Sequence, residues 1–176
     1  MSIENKRREV LLSREAIEER VVSLGKTITE AYKDKNLLVI SLLKGSFIFT
    51  ADLVRKIDLP VRIEFMTTSS YGHDEHTTGT VKVVQDIHVD LTEFDVLIVD
   101  DITDSALTMT GVIEILSKRN PKSIKACVLL DKPSRRKVAY EPDFVGFEIP
   151  DKFIVGYGLN YGDYFRNIDH VFAFVD

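Results

Sequence analysis

Residues 96–111 read VLIVDDITDSALTMTG, and this stretch decides the fold. Four apolar residues run into Asp100, Asp101 and Asp104, and small and hydroxyl side chains follow. Met109, Val112, Ile113 and Leu116 then set a helical stripe that ends before Asn120-Pro121. A continuous apolar run is a strand covered on both faces, so the order is buried strand, acidic turn, helix. The same alternation recurs on either side. LLVISLL (37–43) stops at Lys44-Gly45-Ser46, and FIFTADLVRKI continues with helical spacing; IKACVLL (124–130) leads into DKPSRRK. Earlier in the chain Ile17, Val21, Leu24, Ile28 and Tyr32 share one helical face behind Ser13, which reads as its N-cap. VRIEFMTT (61–68) and VKVVQDIHV (81–89) are strand-like and flank SSYGHDEHTTGT, which has almost nothing to bury. FVGFEI, FIVGYGL and VFAFV are shorter strand candidates in the last part of the sequence.

Strand, turn and helix alternating from residue 37 to residue 130 predict an α/β fold, a mostly parallel sheet flanked by helices. Ligands bind open α/β sheets at the C-terminal ends of the strands, which is where the polar turns lie. With 176 residues, 44% hydrophobic and 29% charged, one domain with its own core is expected. The net charge of -5 argues against nucleic acid as a partner; a metal ion would let an acidic protein take an anionic small substrate. Cys127 is the single cysteine and sits in the apolar run ACVLL, so buried packing and a reducing cytoplasm are expected. The charged start MSIENKRREVLL has no signal-peptide character, and no stretch approaches the roughly 20 apolar residues of a membrane span. The expected location is the cytoplasm, with no membrane partner.

A turn of small residues entering a helix exposes backbone N–H groups at the helix's positive end, an arrangement suited to a phosphate monoester. Ser105, Thr108 and Thr110 add hydroxyl donors. Asp100, Asp101 and Asp104 repel phosphate and therefore face something else: sugar hydroxyls, a hydrated Mg2+ or a proton. A phosphorylated sugar with a metal satisfies both halves. Taken alone, the stretch is equally compatible with a capped helix and solvated acids.

The remaining motifs decide between these. VLIVDDITDSALT closely resembles the phosphoribosyl-diphosphate signature of the type I phosphoribosyltransferases. SLLKGSFIFTADL, SSYG, LLDKPSRR and PDKFIVGYGLNYGDYFRN are similar, in this order, to the remaining motifs of its hypoxanthine-guanine branch, from about residue 11 onward. The resemblance implies a type I phosphoribosyltransferase fold: a core over about 35–140, a small hood from about 1–12 and 141–176, and a mobile lid over about 69–80 with Ser70 and Tyr71 at its hinge. It implies transfer of 5-phosphoribosyl from phosphoribosyl diphosphate to N9 of a 6-oxopurine, with Mg2+ as cofactor and a homodimer or homotetramer as the assembly.

By residue, the resemblance implies Asp104 as the base at the purine N7 proton, and Asp100 and Asp101 at the ribose hydroxyls directly or through Mg2+. Residues Asp104, Ser105, Ala106, Leu107 and Thr108 wrap the 5-phosphate. Lys44 and Gly45 bind pyrophosphate in a loop whose Leu43–Lys44 peptide is cis in many members, and Arg166 grips the departing pyrophosphate. Lys132 donates to the purine O6, Phe153 stacks on the base, and backbone near Ile154 and Asn160 reads its edge. Asn160 also stands at a metal position.

Some residues read more plainly. Arg135, Arg136 and Lys137 are expected on the surface; His73 and His76 are expected in a polar lid rather than at zinc; Gly156-x-Gly158 lacks the third glycine of a dinucleotide site. The chain departs from the family pattern at Asp100, where glutamate is common, and at Ser105, where threonine is. Ala106 stands where glycine is nearly always found, and Asn160 where aspartate is expected. If position 106 needs a positive φ, alanine strains the loop. A xanthine preference, a catalytically weakened regulatory protein and an RNA-binding attenuator of the same fold are the competing functions.

Overall fold

The computed structural model describes residues 6–70 and 81–175. Its strands are β1 (Arg7–Leu12), β2 (Leu37–Leu43), β3 (Arg62–Ser70), β4 (Val81–Gln85), β5 (Asp95–Thr103), β6 (Ser123–Asp131), β7 (Phe144–Glu148), β8 (Ile154–Val155) and β9 (Val171–Val175). Its α-helices are α1 (Arg14–Ala31), α2 (Phe47–Val54) and α3 (Leu107–Ser117). Six strands form the large sheet in the order β4-β3-β2-β5-β6-β7. All neighbours are parallel except β3 and β4, so the alternating pattern and the mostly parallel sheet are observed.

Side chains alternate across a strand, and the sheet therefore has two apolar faces. Val39, Leu97, Val99, Cys127 and Leu129 face α1 and α2. Leu38, Ile40, Val96, Ile98, Ala126 and Val128 face α3. α1 buries Ile17, Val21, Leu24 and Ile28, the face its spacing predicted. Ser13 caps it, with Oγ accepting from the Ala16 N–H at 3.1 Å, a contact worth about 1 kcal/mol. Truncating a residue such as Leu97 at the centre of this sandwich costs about 2–5 kcal/mol. Cys127 is buried, and burial pushes its thiol pKa far up, so it is packing rather than chemistry.

Two strands differ from their apolar runs. β5 continues past Val99 to Thr103 because its ladder with β6 extends to the pair Thr103–Asp131; Asp100 and Asp101 therefore lie on the strand itself. β4 stops at Gln85, where the Asp86 carboxylate turns back to accept from the Ile87 N–H at 2.7 Å.

The second sheet is antiparallel, β1-β9-β8. β1 had no strand signal, since three of its residues are charged. The guanidinium of Arg8 lies 5.1 Å from the ring centroids of both Phe165 and Phe172, so the charge sits on aromatic faces. β7 pairs with β6, so the passage from the large sheet to the small one falls between Glu148 and Ile154 rather than near residue 141. Ser70 ends β3, and Tyr71 with the rest of the expected lid to residue 80 lies outside the described residues, as do His73 and His76. Among the described residues no helix is long and apolar enough to cross a membrane.

Candidate active site

The central strand β5 delivers its acids to the C-terminal edge of the sheet, and the turn into α3 opens a cavity of about 200 Å³. Asp100, Thr103, Asp104, Ser105, Ala106 and Thr108 line it. Ala106 has φ +66°, so the left-handed conformation that glycine favours is forced on an alanine. Its carbonyl accepts from both the N–H and Oγ of Thr110, at 3.0 and 2.7 Å. Ala106 offers α3 no side-chain cap; Ser105 Oγ accepts from the Leu107 N–H at 3.3 Å, and the helix start remains suited to an anionic acceptor.

Asp100 accepts from the Asp101 N–H and Asp101 from the Ile102 N–H, each at 2.9 Å. Burial, and then the neighbouring Asp101 charge, hold Asp100 well above the usual carboxylate range. Burial also raises Asp101, opposed by its hydrogen bond with Asp100 and by the Arg166 charge. Two carboxyl groups so placed resist joint ionisation, and a cation removes that conflict. Among the described residues no third acid, histidine or cysteine completes an all-protein cage. A two-carboxylate donor set suits Mg2+, which keeps water and substrate oxygens as its other ligands. Asn160 donates from Nδ2 to the Gly162 carbonyl.

Asp104 has one carboxylate oxygen, Oδ1, buried without a hydrogen-bond partner. An orphaned buried acceptor costs about 1–3 kcal/mol, and a ligand carrying a proton donor recovers it.

The Lys44-Gly45 loop closes another side. The Leu43–Lys44 peptide is cis. Beneath the loop Ser41 Oγ bonds Ser46 Oγ at 2.7 Å and Thr50 Oγ1 at 2.8 Å, and Ser46 Oγ donates to the Leu42 carbonyl. Gly45 lies directly on the Asp101 carboxylate. Gly158, at φ +100°, is packed so tightly that a Cβ there would lie 2.1 Å from the Gly45 carbonyl oxygen. Arg166 Nη1 donates to the Gly158 carbonyl at 2.6 Å. Asp101, Gly45, Gly158 and Arg166 are thus one continuous set of contacts.

On the hood side Lys132 is buried, and its N–H donates to the Thr103 carbonyl at 2.9 Å. Phe153 is 62% exposed and meets Tyr161 edge-on, centroids 5.8 Å apart; its face is open for stacking. Ile154 is buried in β8.

One expectation fails. Arg136, placed on the surface with Arg135 and Lys137, is mostly buried and pairs with Asp131 at 2.6 Å, because three nearby carbonyls and a buried acid need a donor. Arg135 and Lys137 are exposed. Asp131, Arg136 and the Ser41–Ser46–Thr50 set were missed. The available signal was an acid ending the apolar run 124–130, with an arginine five residues on.

A mostly parallel α/β sheet whose central strand ends in paired acids beside a helix start, with a small antiparallel sheet alongside, suits a ligand that carries both an anionic group and a cation. The phosphoribosyl transferase domain family matches residues 8–162, and the chain belongs to that family. It is 48% identical over 175 residues to the hypoxanthine-guanine phosphoribosyltransferase of Aquifex aeolicus, covering 99% of this chain and 98% of that one. It is 44% identical over 162 residues to the Bacillus subtilis enzyme of the same name, covering 92% and 90%. Among solved structures, a Staphylococcus aureus hypoxanthine phosphoribosyltransferase superposes with TM-score 0.93 at 38% identity, over 98% of this chain and 94% of that one. A variant of a Trypanosoma cruzi hypoxanthine phosphoribosyltransferase, in a ternary substrates complex, superposes with TM-score 0.91 at 37% identity over 98% and 97%.

Proposed function

We propose that the protein is a hypoxanthine phosphoribosyltransferase of purine salvage, forming a purine nucleotide and pyrophosphate from phosphoribosyl diphosphate and a 6-oxopurine. The observation that carries the residue-level reading is the buried, unpartnered Oδ1 of Asp104 beside the start of α3, where Ala106 offers no side-chain cap. A base with an N–H and a sugar phosphate answer these two unmet needs together.

In this reading the N–H groups from Asp104 to Thr108 hold the 5-phosphate, and Asp104 accepts the purine N7 proton as N9 becomes the nucleophile. Lys132 donates to O6, an acceptor that adenine lacks. Phe153 stacks on the base, and the backbone near Ile154 and Asn160 meets its edge. Leaving-group departure builds positive charge on the ribose and negative charge on pyrophosphate. Arg166 and the Lys44-Gly45 loop stabilise the latter. Asp100 and Asp101, together with Asn160, would hold Mg2+, which would supply further neutralisation of that charge. We place the enzyme in the cytoplasm, as a homodimer or homotetramer.

Incubation with phosphoribosyl diphosphate, Mg2+ and each of hypoxanthine, guanine, xanthine and adenine tests this. Nucleotide is expected from hypoxanthine and guanine. No product from any 6-oxopurine refutes the reading, and product from xanthine above all replaces it with a xanthine-preferring enzyme.

A further inference from the structure

Arg136 stands outside every role assigned above, yet it is among the most connected side chains near the site. Its Nη2 pairs with Asp131 Oδ1 at 2.6 Å, and the two side chains are only 12% and 5% exposed. Its Nη1 donates to the Asp104 carbonyl at 2.9 Å and to the Thr103 carbonyl at 3.3 Å, and its Nε donates to the Tyr140 carbonyl at 2.9 Å. The backbone continues the same seam. Lys132 N–H donates to the Thr103 carbonyl at 2.9 Å and Lys137 N–H to the Ser105 carbonyl at 3.0 Å. Three successive carbonyls, of residues 103, 104 and 105, are therefore all drawn to the segment 132–137.

This has a geometric consequence. In a trans peptide the C=O and the N–H of the next residue point in opposite directions. Holding carbonyls 103–105 toward Arg136 turns the N–H groups of Asp104, Ser105 and Ala106 away from it, and these residues line the cavity. The left-handed Ala106 gives the turn an intrinsic tendency to relax elsewhere, so something must hold it. We propose that Arg136 is a positioning residue that locks the phosphate-binding turn to the segment bearing Lys132, setting the aim of the turn's N–H groups and of the Asp104 carboxylate. Its role depends on the guanidinium fork. One arm meets the Asp131 carboxylate while another reaches the two turn carbonyls, which a lysine ammonium cannot reproduce. Asp131 compensates the charge that this burial requires.

The proposal rests on the phosphoribosyl-transfer reading for its kinetic readout, and a binding readout separates the two. Wild type, Arg136→Lys and Arg136→Gln are compared at a temperature where circular dichroism shows each folded. Kinetics are measured with phosphoribosyl diphosphate, Mg2+ and hypoxanthine, and binding by calorimetric titration of phosphoribosyl diphosphate with Mg2+. Arg136→Lys keeps a positive charge opposite Asp131, and with it the fold, but loses the grip on the carbonyls. It is expected to lower kcat about tenfold or more and to weaken phosphoribosyl diphosphate binding severalfold, as misaimed groups do. Arg136→Gln is expected to do the same with a lower Tm. A lowered Tm with wild-type kcat, KM and Kd in the lysine variant indicates a structural role alone and overturns the proposal. If the glutamine variant does not fold, the lysine variant decides. A wild type that binds phosphoribosyl diphosphate but makes no nucleotide refutes the proposed function, and the Kd comparison then decides Arg136. A wild type that does neither overturns both.

Discussion

The carboxylate of Asp101 occupies the space that a side chain at Gly45 would need: a Cβ there would lie 1.9 Å from Asp101 Oδ2. The Lys44-Gly45 loop and the acid pair are therefore in van der Waals register. Gly45→Ala is expected to push Asp101 aside, lowering kcat/KM by about ten- to a hundredfold and raising the Mg2+ requirement, with the fold intact by circular dichroism. Unchanged kinetics would show that the position of Asp101 does not matter.

Ala106 bears on stability and on substrate binding together. At φ +66° an alanine carries a left-handed penalty of about 1–2 kcal/mol, while glycine adds about 0.4–1 kcal/mol of unfolded-state entropy. Ala106→Gly is expected to stabilise the protein by about 0.5–1 kcal/mol, a Tm rise of about 1–4 °C at this size. It is also expected to change the KM for phosphoribosyl diphosphate. A lower Tm, read by calorimetry, contradicts the strain assignment.

Asn160 donates to the Gly162 carbonyl, a bond that an aspartate at this position cannot make and whose acceptor would then face a carboxylate. Asn160→Asp is expected to cost about 1 kcal/mol without ligand. The added charge is expected to lower the Mg2+ concentration needed for half-maximal rate. Magnesium titrations of both proteins, with Tm measured in parallel, check both halves.

Asp86 closes β4 and is held below the usual carboxylate range, chiefly by its 2.6 Å hydrogen bond with Arg119. A carboxyl whose folded pKa is lowered contributes stability above its unfolded value, and that contribution disappears as pH falls through the folded value. Asp86→Asn is therefore expected to destabilise by about 1 kcal/mol or less at pH 7, since the pair is partly exposed. The two proteins are expected to converge in acid. A constant difference across a pH series of urea melts rules the pair out as the source.

Local signals were the ones legible from sequence. The spacing in α1, the apolar runs of the parallel strands and the cluster of acids after Val99 all act within a few residues, and periodicity exposes them. The left-handed need at position 106 was anticipated because one residue type was out of place there. What stayed hidden depends on partners distant in sequence. β1 is a strand because β9 lies beside it and aromatic rings accept Arg8. β7 joins the large sheet because β6 leaves an edge for it. Arg136 looks like a solvated charge until Asp131 and the carbonyls of the β5–α3 turn are placed around it.

The pairing of β1 with β9 also bears on the order of events during synthesis. Arg7 meets Val175 and Val10 meets Phe172, so the first described strand must wait for the last. β1 can pair with β9 only once residues through Val175 have been made, whereas the strands of the large sheet all lie within residues 37–148. A ribosome-bound chain ending after Glu148 holds all six strands of the large sheet and α3, but lacks Phe153, Gly158 and Arg166. The turn at Asp104–Thr108 is thus made before Phe153, Gly158 and Arg166, which lie in the same later stretch as β8 and β9.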